Sequence, residues 1–435
     1  MSLKTSPHLC PDSVTHVLVG YSKNVLDDLD AFLPEESVLV LEEPEVITAR
    51  RVSAKISRHP SAALLLPAPC QDESFPERFV ESVLRPGNVR AVIPSVEYGV
   101  VATAALADAW RLPGASLSAA RNLRDKIALR TAADRAGIPQ PRWTEVCGPE
   151  EVRGFADSLG VPCVLKPANR QASLGVRFLE VGEDTREAWE HTTTANEASM
   201  RADYANIPRF MVEERVDGPE VSVEVLVDEG TVGFTNVTAK AVQDFRYPVE
   251  LGHTVPALVP RHVIASLTRR MEQLVAATGF RSGVLHAEWI LAGGDSPYLV
   301  ECAGRPPGDR ITTLIDLAYG GSLLRDLVAL LEGGSASGPR RACTGAAIRF
   351  LRASPGVVEE IEGVDGLGAM PGTHDFRVSV TEGDTVHDTT SSWDRVGYVI
   401  ATGGDPAEAS ANAERAADSV TIRARPSVAS AAPRY

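Results

Sequence analysis

One stretch of the sequence restricts the fold more than any other, because it reads as two strands joined by a tight turn. Residues 283–291 and 297–302 are strand-like runs, and residues 293–296 between them are Gly, Gly, Asp and Ser. This composition is typical of a β-hairpin. If the loop has four residues, Ala292 pairs with Pro297, and the partners of all preceding residues follow by counting outward.

That counting places Glu288 opposite Glu301. Side chains in such a pair leave the same face, with Cβ atoms about 4.5–5.5 Å apart, and two like charges there destabilise a sheet. A divalent cation between them would remove the repulsion, since hard cations bind carboxylate oxygens and phosphates. An exposed acidic pair, or a register shift that separates the two residues, accounts for the same pattern without a metal. The loop that follows carries Arg305 and Arg310 beside glycines and prolines, which suits an anionic substrate and favours the metal site.

The first hundred residues show another pattern, in which short apolar runs alternate with helical stretches. Strands are predicted over residues 16–20, 37–41, 62–66 and 89–94. Continuous apolar runs of this length are typical of buried parallel strands, so we expect a doubly wound α/β domain. A single glycine, Gly20, follows the first run, and one glycine does not make a dinucleotide-binding motif.

Helices are predicted in the middle of the chain over residues 122–136, near 185–200 and over 261–278. Gly137 and Pro139 end the first of these, as helix C-terminal signals do. Between the helices, strands with alternating polarity are expected as far as about residue 303.

The last part of the chain, from about Cys343 onward, is expected to form a further unit. Strands are predicted over residues 346–351 and 398–401, and a helix over 406–417. The tail, residues 425–435, is rich in Ser, Ala and Pro and is expected to be disordered.

Composition limits the class of protein. The 435 residues are 44% hydrophobic and 23% charged, as expected for a soluble protein of two to four folded units. A net charge of −15 argues against a nucleic-acid or anionic-membrane binder. The six scattered cysteines give no zinc or disulfide pattern, and no apolar run approaches the roughly 20 residues that span a bilayer. We therefore expect a cytoplasmic protein.

With these motifs in order, the chain resembles the ATP-grasp superfamily, and within it the carboxylate–amine ligases of the L-amino-acid ligase and carnosine-synthase type. The resemblance covers about residues 15–425 and implies an ATP-grasp fold, α/β and α+β in class. The implied units are an N-terminal doubly wound (pre-ATP-grasp) domain, residues 1–118; a small lid subdomain with a phosphate flap, 119–205; a catalytic subdomain, 206–342; a C-terminal α+β subdomain, 343–424; and the disordered tail, 425–435.

The resemblance gives the hairpin its role. The family's last motif pairs two magnesium-binding glutamates with a downstream arginine, which implies Glu288 and Glu301 as metal ligands and Arg305 as a substrate-binding, catalytic residue. The family usually has an asparagine two residues after the second glutamate, where this chain has Ala303. Either a water takes that place at the second ion, or another oxygen ligand such as Asp309 does.

The ATP-binding residues are implied by resemblance alone. Lys126 and Lys166 match the family's two ATP lysines, although each by itself would be interpreted as a surface charge. The loop after Lys166 matches the flap that closes over the phosphates, with Ser173 and Gly175 as ATP contacts. This flap is poorer in glycine than usual, so it is either stiffer or contacts the substrate through Arg170.

Two further segments resemble binding elements. Residues 211–224 match the adenine hinge, which implies ATP contacts by Glu213, Glu214 and Val216, and a ribose contact by Glu220. The alternation of polar and apolar residues that follows is explained equally well by a solvated strand face.

Residues 247–256 match the segment that faces the acyl phosphate and the amine. This match implies that His253 is a catalytic, substrate-binding residue beside the Arg305 site, and that Glu250 is a substrate contact. A histidine in a Gly-His turn is more often structural than catalytic. Lys240 is a weaker phosphate candidate.

The implied reaction joins a small-molecule carboxylate to an amine. Neither a nucleic acid nor a membrane is expected as a partner. ATP phosphorylates the carboxylate, and the amine displaces the phosphate to form an amide, with ADP released. The implied cofactors are ATP and two Mg²⁺ ions, with Mn²⁺ as a substitute, and a homodimer is common in the family. The alternatives are a carboxylase of the biotin-carboxylase type, a non-catalytic ATP-binding protein, and an unrelated α/β protein. The sequence does not name the substrates.

Overall fold

A computed structural model describes residues 11–202, 208–243, 246–335 and 340–426. The N-terminal unit contains a parallel sheet of order β3-β2-β1-β4. Its elements are β1 (His16–Val19), α1 (Lys23–Asp30), β2 (Val38–Glu42), α2 (Pro44–Ala49), α3 (Val52–Ile56), β3 (Ala62–Pro67), α4 (Pro76–Ser82), β4 (Ala91–Pro94), a 3₁₀ helix (Glu97–Gly99) and α5 (Val100–Trp110). The four predicted strands and their parallel pairing are confirmed.

This sheet reverses direction next to β1. The chain moves from β1 to β2 and β3 on one side and then returns to place β4 on the other side. The loops after β1 and β4 therefore border a crevice at the carboxyl edge of the sheet, the place where open α/β sheets bind ligands.

The predicted helix over residues 122–136 is wrong as a single helix. The chain forms α6 (Leu117–Arg124) and α7 (Lys126–Arg135), divided at Asp125. The backbone of Asp125 is extended, and its carboxylate accepts hydrogen bonds from the N–H groups of Ile127 and Ala128. An aspartate in this position stabilises a helix start, because it binds N–H groups that have no partner in the first turn. The break makes Lys126 the first residue of α7.

The lid has an antiparallel sheet of order β5-β8-β6-β7, with two helices packed against it. Its elements are β5 (Trp143–Val146), α8 (Pro149–Leu159), β6 (Cys163–Pro167), β7 (Arg177–Leu179), α9 (Thr185–Thr194) and β8 (Phe210–Glu214). The flap is the loop between β6 and β7. The helix predicted near 185–200 ends earlier, at Thr194.

The largest sheet has eight strands in the order β13-β12-β9-β10-β11-β14-β18-β16, all antiparallel. The part that precedes residue 343 consists of β9 (Glu220–Asp228), β10 (Thr231–Val242), β11 (Glu250–Val255), α10 (Arg261–Thr278), β12 (Gly283–Ala292), β13 (Ser296–Ala303), α11 (Ile311–Tyr319) and α12 (Leu323–Leu331). The helix predicted over 261–278 is confirmed as α10, and it packs on one face of the sheet.

The same sheet continues into the C-terminal part of the chain. That part consists of β14 (Gly345–Phe350), β15 (Gly356–Glu362), a 3₁₀ helix (Val364–Ala369), β16 (Thr373–Val378), β17 (Thr385–Val386), a 3₁₀ helix (Ser392–Asp394), β18 (Gly397–Gly403), α13 (Pro406–Asp418) and β19 (Thr421–Arg425). A second small sheet has the order β17-β15-β19. The strands predicted near 346 and 398 and the helix near 406 are confirmed. Arg425 ends a strand, and residues 427–435 of the expected tail lie outside the described residues.

The hairpin of β12 and β13 reaches the predicted pairing by a different route. Ala292 pairs with Ser296, so the loop has three residues and the predicted four-residue loop is wrong. The register shifts by one residue at a bulge next to Trp289, and beyond the bulge Glu288 pairs with Glu301 as predicted. A shorter turn and a bulge of one residue cancel each other, which restores the glutamate pair. Within the described ranges, no helix is long and apolar enough to cross a membrane.

Candidate functional site

Each glutamate of the hairpin lies against a lysine from a different element. The Glu288 carboxylate is 2.7 Å from Nζ of Lys240 on β10, and the Glu301 carboxylate is 2.8 Å from Nζ of Lys126 on α7. These ion pairs balance the like charges that the sequence places opposite each other. Two alternatives are therefore wrong. The residues are not an exposed acidic pair, because neither side chain is fully exposed. No register shift separates them either, because Glu288 pairs directly with Glu301.

Lys240 lies at the centre of an acidic cluster. Its side chain is 2% exposed, and Nζ is 2.5 Å from Glu220, 2.7 Å from Glu288 and 3.4 Å from Glu250. Burial disfavours the charged lysine, but the three carboxylates outweigh this effect and raise its pKa well above the usual value. Burial raises the pKa of Glu220 to about 7, and the negative charge of Glu288 adds to this shift. The cluster therefore holds more acid than one lysine neutralises.

A buried polar network continues from this cluster across three strands. Fully buried Glu224 on β9 accepts hydrogen bonds from Asn236 (2.6 Å) and Thr238 (2.8 Å) at one oxygen. Its other oxygen accepts from Ser222 (2.6 Å) and is 2.9 Å from Nδ1 of His286. Nε2 of His286 lies 3.5 Å from Glu288. The interpretation of this strand face as solvated is wrong, since Ser222, Glu224 and Thr238 are buried.

The second lysine predicted to bind ATP lies in a cluster of opposite character. Nζ of Lys166 is 2.5 Å from one oxygen of Glu213, and Nη2 of Arg130 is 2.8 Å from the other. All three side chains are buried, so the interpretation of Lys166 as a surface charge is wrong. Burial, together with the nearby charges of Arg130 and Lys126, outweighs Glu213 and lowers the pKa of Lys166.

The two adjacent hinge glutamates point in opposite directions, as neighbouring residues of a strand do. Glu213 faces Lys166, whereas the Glu214 carboxylate receives two hydrogen bonds from Arg142, at 2.8 and 3.0 Å, on the solvent side. Val216 is half-buried in the connection to β9. The side chain of Glu214 is therefore engaged away from the Lys166 cluster, and only its backbone groups remain to contact a nucleotide there.

Lys126 connects the flap to the hairpin. Its Nζ contacts Glu301 and also donates a hydrogen bond to the carbonyl oxygen of Arg170, at 2.8 Å. Farther along the flap, Ser173 and Gly175 have positive φ angles of 56° and 74°. A Cβ atom on Gly175 would lie 3.0 Å from the Cβ atom of Ala195, so a glycine suits both the backbone and the available space.

The residues predicted to act on the acyl group have partners from outside the catalytic sheet. Nε of Arg305 donates to Glu97, at 2.8 Å, and Glu97 belongs to the loop after β4 in the N-terminal unit. His253 is 1% exposed, and its Nε2 lies 3.2 Å from Asp309. Within the described part of the chain, no hydrogen bond or ion pair joins Arg305 to His253, so the structure does not bring these two residues into direct contact.

A loop of the C-terminal part reaches the same place. Arg395 donates two hydrogen bonds to Asp309, at 2.5 and 2.8 Å, and Ser392 donates to Glu250, at 2.7 Å. The backbone N–H of Ser392 also donates to the carbonyl oxygen of Ala172 in the flap, at 3.2 Å. Asp309, considered above as a substitute metal ligand, is therefore engaged by Arg395 and His253.

The chemistry of the hairpin fits magnesium. Mg²⁺ commonly takes one or two protein carboxylates, and water and phosphate oxygens complete its coordination. Glu288 and Glu301 supply two carboxylates, and the acidic excess around Lys240 favours a cation. Among the described residues, three potential ligand atoms come together only at Asp27, Asp30 and His59, far along the chain from the hairpin. The hairpin therefore suits an ion that also binds phosphate rather than one held by protein alone.

Sequence reasoning missed several residues of this site, namely Glu97, Arg130, Glu224, His286 and Arg395. One signal was present for two of them, Glu224 and His286. Every second residue is polar over residues 220–224, 236–240 and 286–288, and Glu224 pairs with both Asn236 and His286. Aligning the three strands would have revealed one shared polar face. No comparable signal marked Glu97 or Arg395, because their role depends on contacts between distant parts of the chain.

Comparison with known proteins agrees with this geometry. The family model of the ATP-grasp domain matches residues 159–314, and the model of L-amino acid ligase C-terminal domain 2 matches residues 349–425. An uncharacterised protein of Sinorhizobium fredii is 28% identical over 315 residues, which cover 72% of this chain and 63% of that protein. Alanine–anticapsin ligase of Bacillus subtilis is 23% identical over 282 residues, which cover 60% of this chain and 58% of that enzyme. The chain thus spans less than two thirds of the length of either relative.

A solved structure shows the same fold over nearly the whole chain. The L-amino acid ligase from Bacillus licheniformis superposes with a TM-score of 0.77 at 18% identity, over 95% of this chain and 99% of that one. The fold, the two family models and the order of the motifs agree. The chain therefore has the ATP-grasp fold, contains an ATP-grasp domain at residues 159–314 and an L-amino acid ligase C-terminal domain at residues 349–425, and is similar to carboxylate–amine ligases of the L-amino acid ligase type.

Proposed function

We propose that this protein is an ADP-forming ligase that joins a carboxylate to an amine, with an amino acid as at least one of the two substrates. ATP phosphorylates the carboxylate, and the amine then displaces phosphate from the acyl phosphate. The observation that carries the proposal is the pair of opposed charge clusters: cations around Glu213 suit phosphates, and acids around Lys240 suit a metal ion.

In this proposal, the lysines form the phosphate side of the reaction. Phosphoryl transfer depends mainly on positioning and on neutralising the charge of the transferred group. Lys166 and Lys126 would supply two ammonium groups, while Ser173 and Gly175 would close the flap over the phosphates. Mg²⁺, when bound by Glu288 and Glu301, would supply the remaining positive charge.

The nucleoside part of ATP would be held by other residues. Backbone groups near Glu214 and Val216 would contact adenine, and Glu220 would contact the ribose.

We assign the acyl side to Arg305, His253 and Glu250. Arg305 would bind the carboxylate that is activated and, together with His253, would stabilise the oxyanion that forms when the amine attacks. Nδ1 of His253 is buried and has no hydrogen-bond partner within the described residues, so it remains available for a substrate. Glu250 would contact the incoming amine.

The test is ADP release by the purified protein with MgATP, across single amino acids and all their pairs. The proposal expects release that requires both substrates, together with a new amide in the products by mass spectrometry. Release that depends on bicarbonate instead would indicate a carboxylase. ATP binding without release for any pair in a broad panel would contradict the proposal and favour a non-catalytic protein.

A further inference from the structure

Arg170 in the flap is a buried cation without an acidic partner. Its side chain is 9% exposed, and within the described residues its guanidinium donates hydrogen bonds only to the neighbouring Asn169, at 3.5 Å to the carbonyl oxygen and 3.4 Å to Oδ1. Among the described residues, no carboxylate forms an ion pair with it. Burying a guanidinium in this way is costly unless an anion binds it.

The guanidinium of a second arginine, Arg124, contacts the same residue, Asn169. Arg124 is also buried, and its Nη2 donates to the carbonyl oxygen of Asn169, at 3.0 Å, the same oxygen that Arg170 contacts. Burial, with the positive charges of Arg201 and Arg124, lowers the pKa of Arg170 to about 10. Two like-charged groups therefore converge on one carbonyl oxygen, an arrangement that an anion between them would stabilise.

The nearby acids balance Arg124 but do not form an ion pair with Arg170. Glu73 is 2.7 Å from Arg124, and Glu97 is closer to Arg305, at 2.8 Å, than to Arg124, at 3.8 Å. Burial raises the pKa of Glu197 to about 8, so this carboxyl is largely protonated at pH 7. The cluster of Arg124 and Arg170 consequently carries more positive than negative charge.

This arginine cluster adjoins the place where the acyl phosphate would form. Nζ of Lys126 contacts both the carbonyl oxygen of Arg170 and the carboxylate of Glu301, each at 2.8 Å. The 3₁₀ helix after β4 reaches the same cluster, since the ring centroid of Tyr98 lies 4.6 Å from the guanidinium carbon of Arg124. A substrate held at Arg305 would therefore extend toward Arg124 and Arg170.

We propose that Arg170 and Arg124 form a subsite for a second carboxylate, so that one of the two substrates is an acidic compound such as a dicarboxylic amino acid. This inference rests on the proposed ligase function and adds the substrate class. The same chemistry has one other source, the triphosphate of ATP, and the experiment below separates the two.

The experiment uses substrates that differ in charge but not in size. Wild-type protein is assayed for ADP release with aspartate against asparagine and with glutamate against glutamine, each offered with a panel of amino-acid partners. We expect kcat/KM to favour the acidic member by about 10-fold or more, because hydrogen bonds to charged groups contribute about 1.5–3 kcal/mol. Arg170→Met should abolish this preference without changing KM for ATP, whereas Arg170→Lys should retain part of it.

The matched control is Arg186→Met, which removes an arginine of α9 in the same lid that is 72% exposed. It should leave both the preference and KM for ATP unchanged. If Arg170→Met raises KM for ATP equally with acidic and neutral substrates, the arginine binds the triphosphate and the inference is overturned. A wild-type enzyme that is active but prefers asparagine and glutamine overturns the inference while the ligase function stands.

A binding measurement does not depend on turnover. Glutarate should bind the wild-type protein in the presence of MgADP by calorimetry, and should bind Arg170→Met at least 10-fold more weakly. Circular dichroism checks that this variant folds, and if it does not, Arg170→Lys takes its place. Absence of glutarate binding to the wild-type protein overturns the subsite. Absence of amine-dependent ADP release with every pair, despite glutarate binding, would instead contradict the proposed function alone.

Discussion

Two buried lysines of this protein have opposite surroundings. Lys166 shares one carboxylate, that of Glu213, with Arg130, and Lys126 is a further cation close by. Lys240 has three carboxylates around it. The pKa of Lys166 is consequently lowered and that of Lys240 is raised, although both side chains are buried to a similar extent.

The difference shows what each half of the site is prepared to bind. A cluster with excess positive charge is stabilised by an anion, and a cluster with excess negative charge by a cation. This difference supports our proposal that the Lys166 cluster binds phosphate and the Lys240 cluster binds a metal ion. One shared sheet edge brings the two together, since Glu301 of the hairpin contacts Lys126 while its partner Glu288 contacts Lys240.

The largest expected effect is on stability, and it distinguishes the two lysines. Lys240→Met leaves three carboxylates without their common cation, so we expect a loss of about 3–5 kcal/mol in the free energy of unfolding. Lys166→Met leaves Glu213 paired with Arg130 and should cost clearly less. Urea unfolding of both variants without nucleotide measures the difference. Equal losses would mean that the two clusters do not differ in charge balance as proposed.

Removal of a hairpin carboxylate should act mainly on turnover. Glu301→Gln keeps the size of the side chain but removes the charge that pairs with Lys126 and would bind the metal. We expect kcat to fall by about 10²–10³-fold, as is typical when transition-state electrostatics are removed. Glu229→Gln, at an exposed ion pair at the end of β9, is the matched control. Near-normal turnover of Glu301→Gln would refute the metal assignment.

The C-terminal part of the chain should contribute through Asp309. Arg395 fixes the Asp309 carboxylate, which in turn lies against His253. We expect Arg395→Met to lower kcat by about 10–100-fold, similar to the loss of residues that orient catalytic ligands, with KM for ATP unchanged. Arg423→Met, at an exposed ion pair of β19, should have no effect. A change confined to stability would show that Arg395 is purely structural.

The accuracy of the sequence predictions followed the range of the interactions that they required. The pairing of Glu288 with Glu301 was predictable because both residues lie in one hairpin, and it held although loop and bulge were not foreseen. The helix break at Asp125 was missed because apolar spacing continues across it, while a local side-chain cap decides the structure. Glu213 and Glu214 could not be distinguished, since the opposite directions of adjacent side chains matter only once Lys166 and Arg142 are in place.

Contacts between distant segments lay beyond sequence reasoning. Glu97 reaches Arg305 from 208 positions away, and Arg395 reaches Asp309 from 86 positions away. Neither residue stands in a motif, and each is an ordinary charged residue in a loop. Their role depends on how the N-terminal and C-terminal parts pack around the catalytic sheet, which no local pattern specifies.

The smallest expected effect concerns the segment after α9, which packs against the N-terminal unit. Buried Glu197 hydrogen-bonds Tyr98, and Gln71 bonds to the backbone of Met200 and Ala202, at 3.0 and 2.9 Å. Burial raises the pKa of Glu197 to about 8, and the negative charge of Glu97 adds to the shift. The folded segment therefore holds a proton that the detached segment releases at neutral pH.

The sign follows from that proton. Because the pKa of Glu197 is higher in the packed state, packing is strongest below the ordinary carboxyl pKa and weakens as the pH rises toward about 8, above which it levels off. We expect a loss of about 1 kcal/mol between pH 7 and pH 8, because each pH unit below the raised pKa changes the free energy of opening by up to about 1.4 kcal/mol. Hydrogen exchange of residues 195–202, corrected for intrinsic rates, measures this change. Glu197→Gln should be independent of pH over the same range, and a variant that keeps the wild-type pH dependence would assign the effect to another group.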